Sequence, residues 1–121
     1  MSVFQSIPEK EIIYRGKYFF VIKDRFPVSQ GHCLIISNEV KKDYFELSQE
    51  EKQELPVLID AVKDLIEGEY TPDGYNIGMN CGEAAGQTIM HFHLHVIPRY
   101  KGDMEDPTGG IRHCVEGKGN Y

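Results

Sequence analysis

The sequence lacks several features that mark whole classes of protein. It has no tryptophan and only three cysteines (Cys33, Cys81 and Cys114), and no two of them form a Cys-x-x-Cys pair. A disulfide framework or a cysteine-based zinc site is therefore not expected, and a reducing cytoplasm is the expected location. We interpret the three cysteines as small apolar filling residues.

Excess positive charge and long apolar runs are also missing. The 121 residues include 13 Lys and Arg against 19 Asp and Glu, which gives a formal net charge of −6. Binding to nucleic acid or to an anionic membrane is therefore not expected, and an anionic ligand would need local donors. No stretch approaches the roughly 18 apolar residues of a membrane span, and the first residues do not resemble a signal peptide.

The composition that remains is that of one ordinary globular domain over residues 1–121. Hydrophobic residues make up 40% of the chain and charged residues 26%, which is enough for one core. Residues 100–121 are polar and glycine-bearing, without a period, and predict a loosely structured tail.

Apolar periodicity predicts five strands. They are expected at 12–14, 18–23, 32–36, 75–80 and 91–97, the first two joined by a turn at 15–17 and the last ended by Pro98. Short connections favour antiparallel pairing. The fold class is therefore α+β, with an antiparallel five-stranded sheet and one main amphipathic helix.

That helix is expected over 48–67. Ser48 and Glu51 form a capping-box pattern at its start, and Gly68 is a suitable stop. Apolar residues then recur at three- and four-residue steps on one face: Leu55, Leu58, Val62, Leu65 and Ile66. Pro56 lies inside this pattern and predicts either a kink or a later helix start.

Three of the five histidines lie within five residues, in His91-Phe92-His93-Leu94-His95. Side chains alternate along a strand, so the three histidines are expected on one face and Leu94 on the core face. Buried imidazoles need partners and are costly to cluster, which makes a purely structural role for all three improbable.

Two chemical interpretations remain open for this face. A His-x-His pair can bind zinc, with His32 or His113 completing the ligand set. The outer two histidines, however, are about 13 Å apart along an extended strand, too far to share one ion without a bend. Alternatively, a neutral imidazole can attack phosphorus, while its neighbours orient it or protonate the leaving oxygen.

The segment before the histidines favours the second interpretation. Residues 80–88 read Asn-Cys-Gly-Glu-Ala-Ala-Gly-Gln-Thr, and Gly82 and Gly86 allow close approach of the backbone to a ligand. The N–H groups of such a loop can form a concavity that holds an anion. Gln87 and Thr88 add neutral donors beside it.

Together these residues resemble the histidine triad superfamily of nucleotide hydrolases and transferases. The likeness covers roughly residues 11–105: the His-x-His-x-His pattern at 91–95, the Asn-x-Gly-x-x-Ala-Gly-Gln-Thr pattern at 80–88, and the segment 27–35 that carries a fourth histidine, His32. Residues 98–103 also resemble bacterial members and the fragile-histidine-triad branch, whose substrates are dinucleoside polyphosphates.

The resemblance implies a role for each residue. His93 would be the nucleophile that becomes nucleotidylated, His95 would contact the phosphate and assist the leaving group, and His32 and His91 would support them. Substrate contacts are implied for five further residues, with Asp24 at the ribose: Asp24, Asn80, Gly86, Gln87 and Thr88. No metal or cofactor is implied.

The implied activity is cleavage at the α-phosphorus of a purine nucleotide through a covalent nucleotidyl-histidine, with dinucleoside polyphosphates as the substrate type. Two alternatives stay open. One is a purine nucleoside phosphoramidase, and the other is a nucleotide-binding protein with little turnover. The resemblance also implies a homodimer in which two sheets join.

Overall fold

The structure, a computed structural model, describes residues 2–120; Met1 and Tyr121 lie outside the described residues. Five strands form one antiparallel sheet in the order β1-β2-β3-β5-β4: β1 (Ile12–Arg15), β2 (Phe19–Lys23), β3 (Cys33–Ser37), β4 (Gly74–Gly78) and β5 (His93–Arg99). One long helix, α1 (Gln49–Glu67), packs on the sheet. The α+β prediction, with five antiparallel strands and one main helix, is confirmed.

The start of α1 is set by its capping box. The Ser48 hydroxyl accepts from the Glu51 N–H at 3.1 Å, and the Glu51 carboxylate accepts from the Ser48 N–H at 2.7 Å. Two otherwise unpaired donors are satisfied in this way. The helix is continuous through Pro56, so the later start is wrong.

One stripe of α1 supplies most of its packing. Leu55, Leu58, Val62 and Ile66 are buried, whereas Leu65 remains 38% exposed at the edge of the stripe. A proline inside a helix costs about 3 kcal/mol. Burial of four apolar side chains, at roughly 1.5–3 kcal/mol each, exceeds that cost and explains why the helix persists.

The two faces of the sheet bury different sets of residues. The face under α1 carries the larger core, with Phe19, Val21, Cys33, Ile35, Phe92, Leu94 and Val96. The opposite face carries Phe20, Ile22, Leu34 and Ile36, covered by Phe4 from a short 3-10 helix at Val3–Ser6. His93 pairs with Ile36 and His95 with Leu34, so both histidines lie on this second face.

The last strand differs at both ends from the sequence prediction. It begins at His93 rather than 91 and continues through Pro98 to Arg99. Pro98 is tolerated because the pairing of β5 with β3 ends at Val96, opposite Cys33, so β3 requires no donor there. The Pro98 carbonyl instead accepts from the Ser29 hydroxyl at 2.5 Å.

Residues 100–120 contain turns and a 3-10 helix at Gly110–Cys114, and no strand or α-helix. The start of the segment is tied to the domain. The Tyr100 hydroxyl donates to the Gln30 carbonyl at 2.7 Å, and the Lys101 N–H donates to the Asp73 carboxylate at 2.8 Å.

The cysteines are all free, but only one is a filling residue: Cys33 is buried, Cys81 is half-buried and Cys114 is exposed. Burial raises the pKa of the Cys33 thiol to about 11, which keeps it protonated. Between residues 2 and 120, no helix has the length and apolar character needed to cross a membrane.

Candidate active site

A cavity of about 440 Å³ opens on the face of the sheet opposite α1. Seven residues that the sequence singled out line it: Asp24, His32, Asn80, Gly86, Thr88, His93 and His95. The rest of the lining is mainly apolar, from the N-terminal segment and from β2 and β3. The cavity therefore combines an apolar wall with a row of imidazoles.

His93 is held in one tautomer by the backbone. Its Nδ1 lies 2.8 Å from the carbonyl oxygen of His91. Because a carbonyl can only accept, Nδ1 carries the proton, and Nε2 keeps its lone pair when the ring is neutral. The ring lines the cavity and packs edge-on against Phe4, with centroids 5.0 Å apart.

His91 does not line the cavity. It lies two residues before β5 and is 1% exposed, with its ring 5.5 Å from that of Phe4. Its Nε2–H donates to the Ser37 carbonyl at 2.7 Å, and its Nδ1 is buried without a partner among the described residues. Burial lowers its pKa, which favours the neutral ring. Its backbone carbonyl, rather than its side chain, contacts His93.

His32 and His95 form a hydrogen-bonded pair. His32 Nε2 lies 3.0 Å from His95 Nδ1, and the Val28 N–H donates to His32 Nδ1 at 3.0 Å. Both rings line the cavity. Burial lowers the pKa of His32, and burial with the neighbouring His93 and His32 rings lowers the pKa of His95 to about 4.

Asp24 lies beside this pair. One carboxylate oxygen accepts from the Phe26 N–H at 2.8 Å, and the other lies 3.4 Å from His32 Nε2. Its negative charge raises the pKa of both histidines, but burial outweighs that effect. Asp24 therefore lines the cavity and already has two neighbours within the protein.

The loop before β5 contains residues that line the cavity and one predicted site residue that does not. Gly82 and Gly86 have φ values of 96° and 95°, in the region that favours glycine. Asn80, Gly86 and Thr88 reach the cavity wall. Gln87 does not: it is 3% exposed and lies behind the loop.

The Gln87 amide is fully used by the backbone. Its oxygen accepts from the Gly82 N–H at 2.8 Å, and its nitrogen donates to the carbonyls of Lys42 at 2.6 Å and Ile89 at 3.1 Å. The structure thus gives Gln87 a position that holds the loop, rather than the substrate contact that the resemblance implied.

The zinc interpretation meets a specific obstacle. Ligand atoms of Asp24, His32 and His95 lie within 4.8 Å of one another, which is a plausible spacing for a metal site. Yet His32 Nδ1 accepts a backbone N–H, so in the neutral ring Nε2 carries the proton and has no lone pair for a metal. His113 donates to the Thr108 carbonyl in the tail and does not line the cavity.

Sequence reasoning missed the apolar wall of the cavity. Phe4 and Ile7 come from a segment without periodicity, and Phe26, which is 87% exposed, follows a strand that had already ended. One signal was available for the N-terminal part: Ser2 and Gln5 form a capping box around Phe4.

Comparison with known proteins gives the class to which this fold and site belong. The HIT domain family model matches residues 6–102. The match covers most of the chain, and the chain therefore belongs to the HIT domain family.

Individual members of the family resemble this chain over most of its length. An uncharacterized HIT-like protein of Methanocaldococcus jannaschii is 38% identical over 102 residues, 83% of this chain and 76% of that protein. A bis(5'-adenosyl)-triphosphatase of Dictyostelium discoideum is 30% identical, over 83% of this chain and 67% of that protein. The crystal structure of a HIT family protein from Bacillus anthracis matches with a TM-score of 0.72 and 35% identity. The match covers 77% of this chain and 66% of the Bacillus chain, so this chain spans slightly less than two thirds of that protein.

Proposed function

We propose that this protein cleaves a purine nucleotide at its α-phosphorus through a covalent nucleotidyl-His93 intermediate. The observation that carries the proposal is the hydrogen bond of 2.8 Å from His93 Nδ1 to the His91 carbonyl. It leaves Nε2 with a free electron pair on a ring that lines the cavity.

The reaction has two steps. In the first, His93 Nε2 forms a bond to phosphorus while the bond to the leaving group breaks and its electron pair departs with that group. The ring becomes positively charged, and the Nδ1–H bond to the His91 carbonyl strengthens as the charge develops. In the second, water attacks phosphorus and loses a proton to solvent, the P–N bond breaks with its electron pair returning to Nε2, and the neutral imidazole and a nucleoside monophosphate are released.

The surrounding groups have matching roles. The apolar wall formed by Phe4, Ile7 and Ile22 suits a purine base, and Asp24 is near enough to meet a ribose hydroxyl. Backbone N–H groups near Gly86, with Asn80 and Thr88, would hold the phosphate oxygens. The anhydride of a dinucleoside polyphosphate is the proposed bond, and the Dictyostelium relative is named a bis(5'-adenosyl)-triphosphatase.

Replacement of the nucleophile tests the proposal. With diadenosine triphosphate as substrate, His93→Ala is expected to lower kcat by at least about 10³-fold, because the two-step route is lost. His113→Ala, in the tail, serves as the matched histidine control and should retain wild-type turnover. Mass spectrometry of rapidly quenched wild-type protein should find an AMP adduct on His93.

Two results would contradict the proposal: wild-type turnover by His93→Ala, or an AMP adduct on another histidine. Tight AMP binding by calorimetry without turnover on any anhydride or phosphoramidate would instead favour a nucleotide-binding protein. We further propose that the protein is a cytoplasmic homodimer; cell fractionation tests the location.

A further inference from the structure

The hydrogen bond from the Val28 backbone to His32 determines more than the position of a ring. We propose that the Val28 N–H fixes the protons of the His32–His95 pair, so that His95 donates a hydrogen bond to the leaving group without transferring a proton to it. This inference rests on the proposed function. It makes Val28 a positioning residue that selects substrates by the basicity of their leaving group.

The proton positions follow from one unambiguous donor. The Val28 amide can only donate, so His32 Nδ1, 3.0 Å away, must be unprotonated. Neutral His32 then carries its proton on Nε2. That proton points to His95 Nδ1 at 3.0 Å, with the Asp24 carboxylate at 3.4 Å as a second acceptor.

The same logic continues to His95. Its Nδ1 accepts from His32, so the proton of the neutral His95 ring lies on Nε2. This nitrogen has no partner among the described residues, and the ring lines the cavity beside His93, with centroids 5.4 Å apart. The pair therefore offers the cavity one N–H donor on a neutral ring.

An additional proton cannot enter the pair without breaking a contact. On His95 Nδ1 it would face the Nε2–H of His32, donor against donor. On His32 Nδ1 it would face the Val28 N–H. Moving the His32 proton onto His95 would leave His32 without a proton on either nitrogen, as an anion.

Charged and titratable groups around the pair affect its protonation in opposite directions. Asp24, after β2, favours a proton on the pair, whereas His93, on β5, opposes it. Arg25 also lines the cavity, and its guanidinium is paired with Glu11 through two contacts of 3.0 and 3.1 Å. Burial is the largest influence on both His32 and His95, and it lowers the pKa of each.

The consequence is a choice between leaving groups. A nucleoside diphosphate or triphosphate departs from phosphorus as a stable oxyanion: the P–O bond breaks, oxygen keeps the electron pair, and a hydrogen bond from His95 is sufficient help. An alkylamine must gain a proton as the P–N bond breaks, because its anion is far too basic. The site thus fits anhydrides better than alkyl phosphoramidates.

Nitrogen-15 NMR of the wild-type protein, with labelled histidines, tests the proton positions directly. Near neutral pH we expect His32 protonated only on Nε2 and His95 only on Nε2. A proton on His32 Nδ1, or a doubly protonated His95, would overturn the inference. The NMR measurement does not depend on turnover. The proposed proton positions can therefore be wrong while the nucleotidyl-His93 intermediate still forms, and they can be right even if that intermediate does not form.

A series of adenosine 5'-aryl phosphates tests the consequence for catalysis. We expect kcat/KM to fall steeply as the pKa of the departing phenol rises, and alkyl phosphoramidates to react at least about 10²-fold more slowly than diadenosine triphosphate, the low end of what a true acid catalyst supplies. A shallow dependence in the wild-type protein would overturn the inference.

Val28→Pro and Val28→Ala form a matched pair for the backbone group. Proline removes the N–H, so His32 Nδ1 can hold a proton and His95 can then act as an acid. The dependence on phenol pKa should become shallower in Val28→Pro and stay steep in Val28→Ala, whatever the absolute rates. Equal slopes in the two folded variants would contradict the role of the amide; if Val28→Pro does not fold, the wild-type NMR and phenol series decide.

Discussion

At the scale of single residues, three of the four histidines of the site differ through their backbone partners. Carbonyl oxygens accept from His93 and from His91, whereas an amide donates to His32. The sequence could predict that His93 and His95 share a face, because alternation along a strand does not depend on the rest of the fold. It could not predict these proton positions, because they depend on the local backbone conformation around His32 and His93 and on the distant contact of His91 with Ser37.

His95 also predicts how the protein responds to acid. Its pKa is about 4 in the folded protein, against about 6.5 when unfolded. Between those values the unfolded chain binds more protons, so folding stability falls as pH drops from about 6.5 towards 4. The ring is partly solvated, so we expect a loss of roughly 1–2 kcal/mol from His95, less than the full shift implies.

Urea unfolding at a series of pH values checks this expectation. His95→Gln removes the titrating ring, and the decline between pH 6.5 and 4 should become smaller than in the wild-type protein. His113→Gln, which changes an exposed histidine of the tail, should leave the decline unaltered. An unchanged decline in His95→Gln would show that the ring does not contribute.

At the scale of elements, the loop before β5 shows what a sequence pattern can predict and what depends on tertiary contacts. The pattern at 80–88 correctly identified a glycine-bearing loop beside the cavity, because Gly82 and Gly86 take up positive φ values there. It could not separate Thr88, on the cavity wall, from Gln87, behind it. That distinction depends on which carbonyls of residues 42 and 89 need a donor.

Gln87→Glu and Gln87→Met test the position of this side chain. Both lose the donors to Lys42 and Ile89, and only glutamate keeps an acceptor for the Gly82 N–H. We expect each variant to be destabilised by roughly 1–3 kcal/mol, because buried carbonyls lose their partner. Thr88→Val, on the exposed side, should change stability little but raise KM.

Thermal unfolding and steady-state kinetics with diadenosine triphosphate separate these effects. If Gln87→Met kept wild-type stability and lost only substrate affinity, the side chain would act on the substrate, as the family resemblance implied.

At the scale of the whole molecule, the sheet has an edge that suits the proposed homodimer. β4 is the last strand in the order, and no strand pairs with its outer edge in the part of the chain that the structure describes. Ile77 on this strand is 42% exposed, and Ile111 of the tail lies near Gly78. A second sheet joining here would cover unpaired backbone groups and apolar surface.

Sedimentation equilibrium should therefore give twice the chain mass at micromolar concentration. Ile77→Lys places a charge at the edge and is expected to shift the equilibrium towards monomer, whereas Val57→Lys, on the exposed side of α1, is not. A wild-type protein that sediments as a monomer would end the dimer proposal while leaving the active-site proposal intact.

The fold as a whole was predictable in class and less so in detail. Periodicity identified five strands and the helix because burial on one face imposes a repeat on the residues. The start of β5 could not be read from it, since His91 and Phe92 continue the alternation outside the strand. The N-terminal cover of the cavity was missed because a short 3-10 helix imposes no repeat.

The amide at position 28 has a consequence for how this protein could diverge. A side chain can be exchanged by a single substitution, but a peptide N–H is common to every amino acid except proline. Most substitutions of Val28 itself would therefore conserve the proposed choice of leaving group. A related chain would change that choice through an insertion, a deletion or a new proline between β2 and β3, so the length of this connection is the feature to compare among relatives.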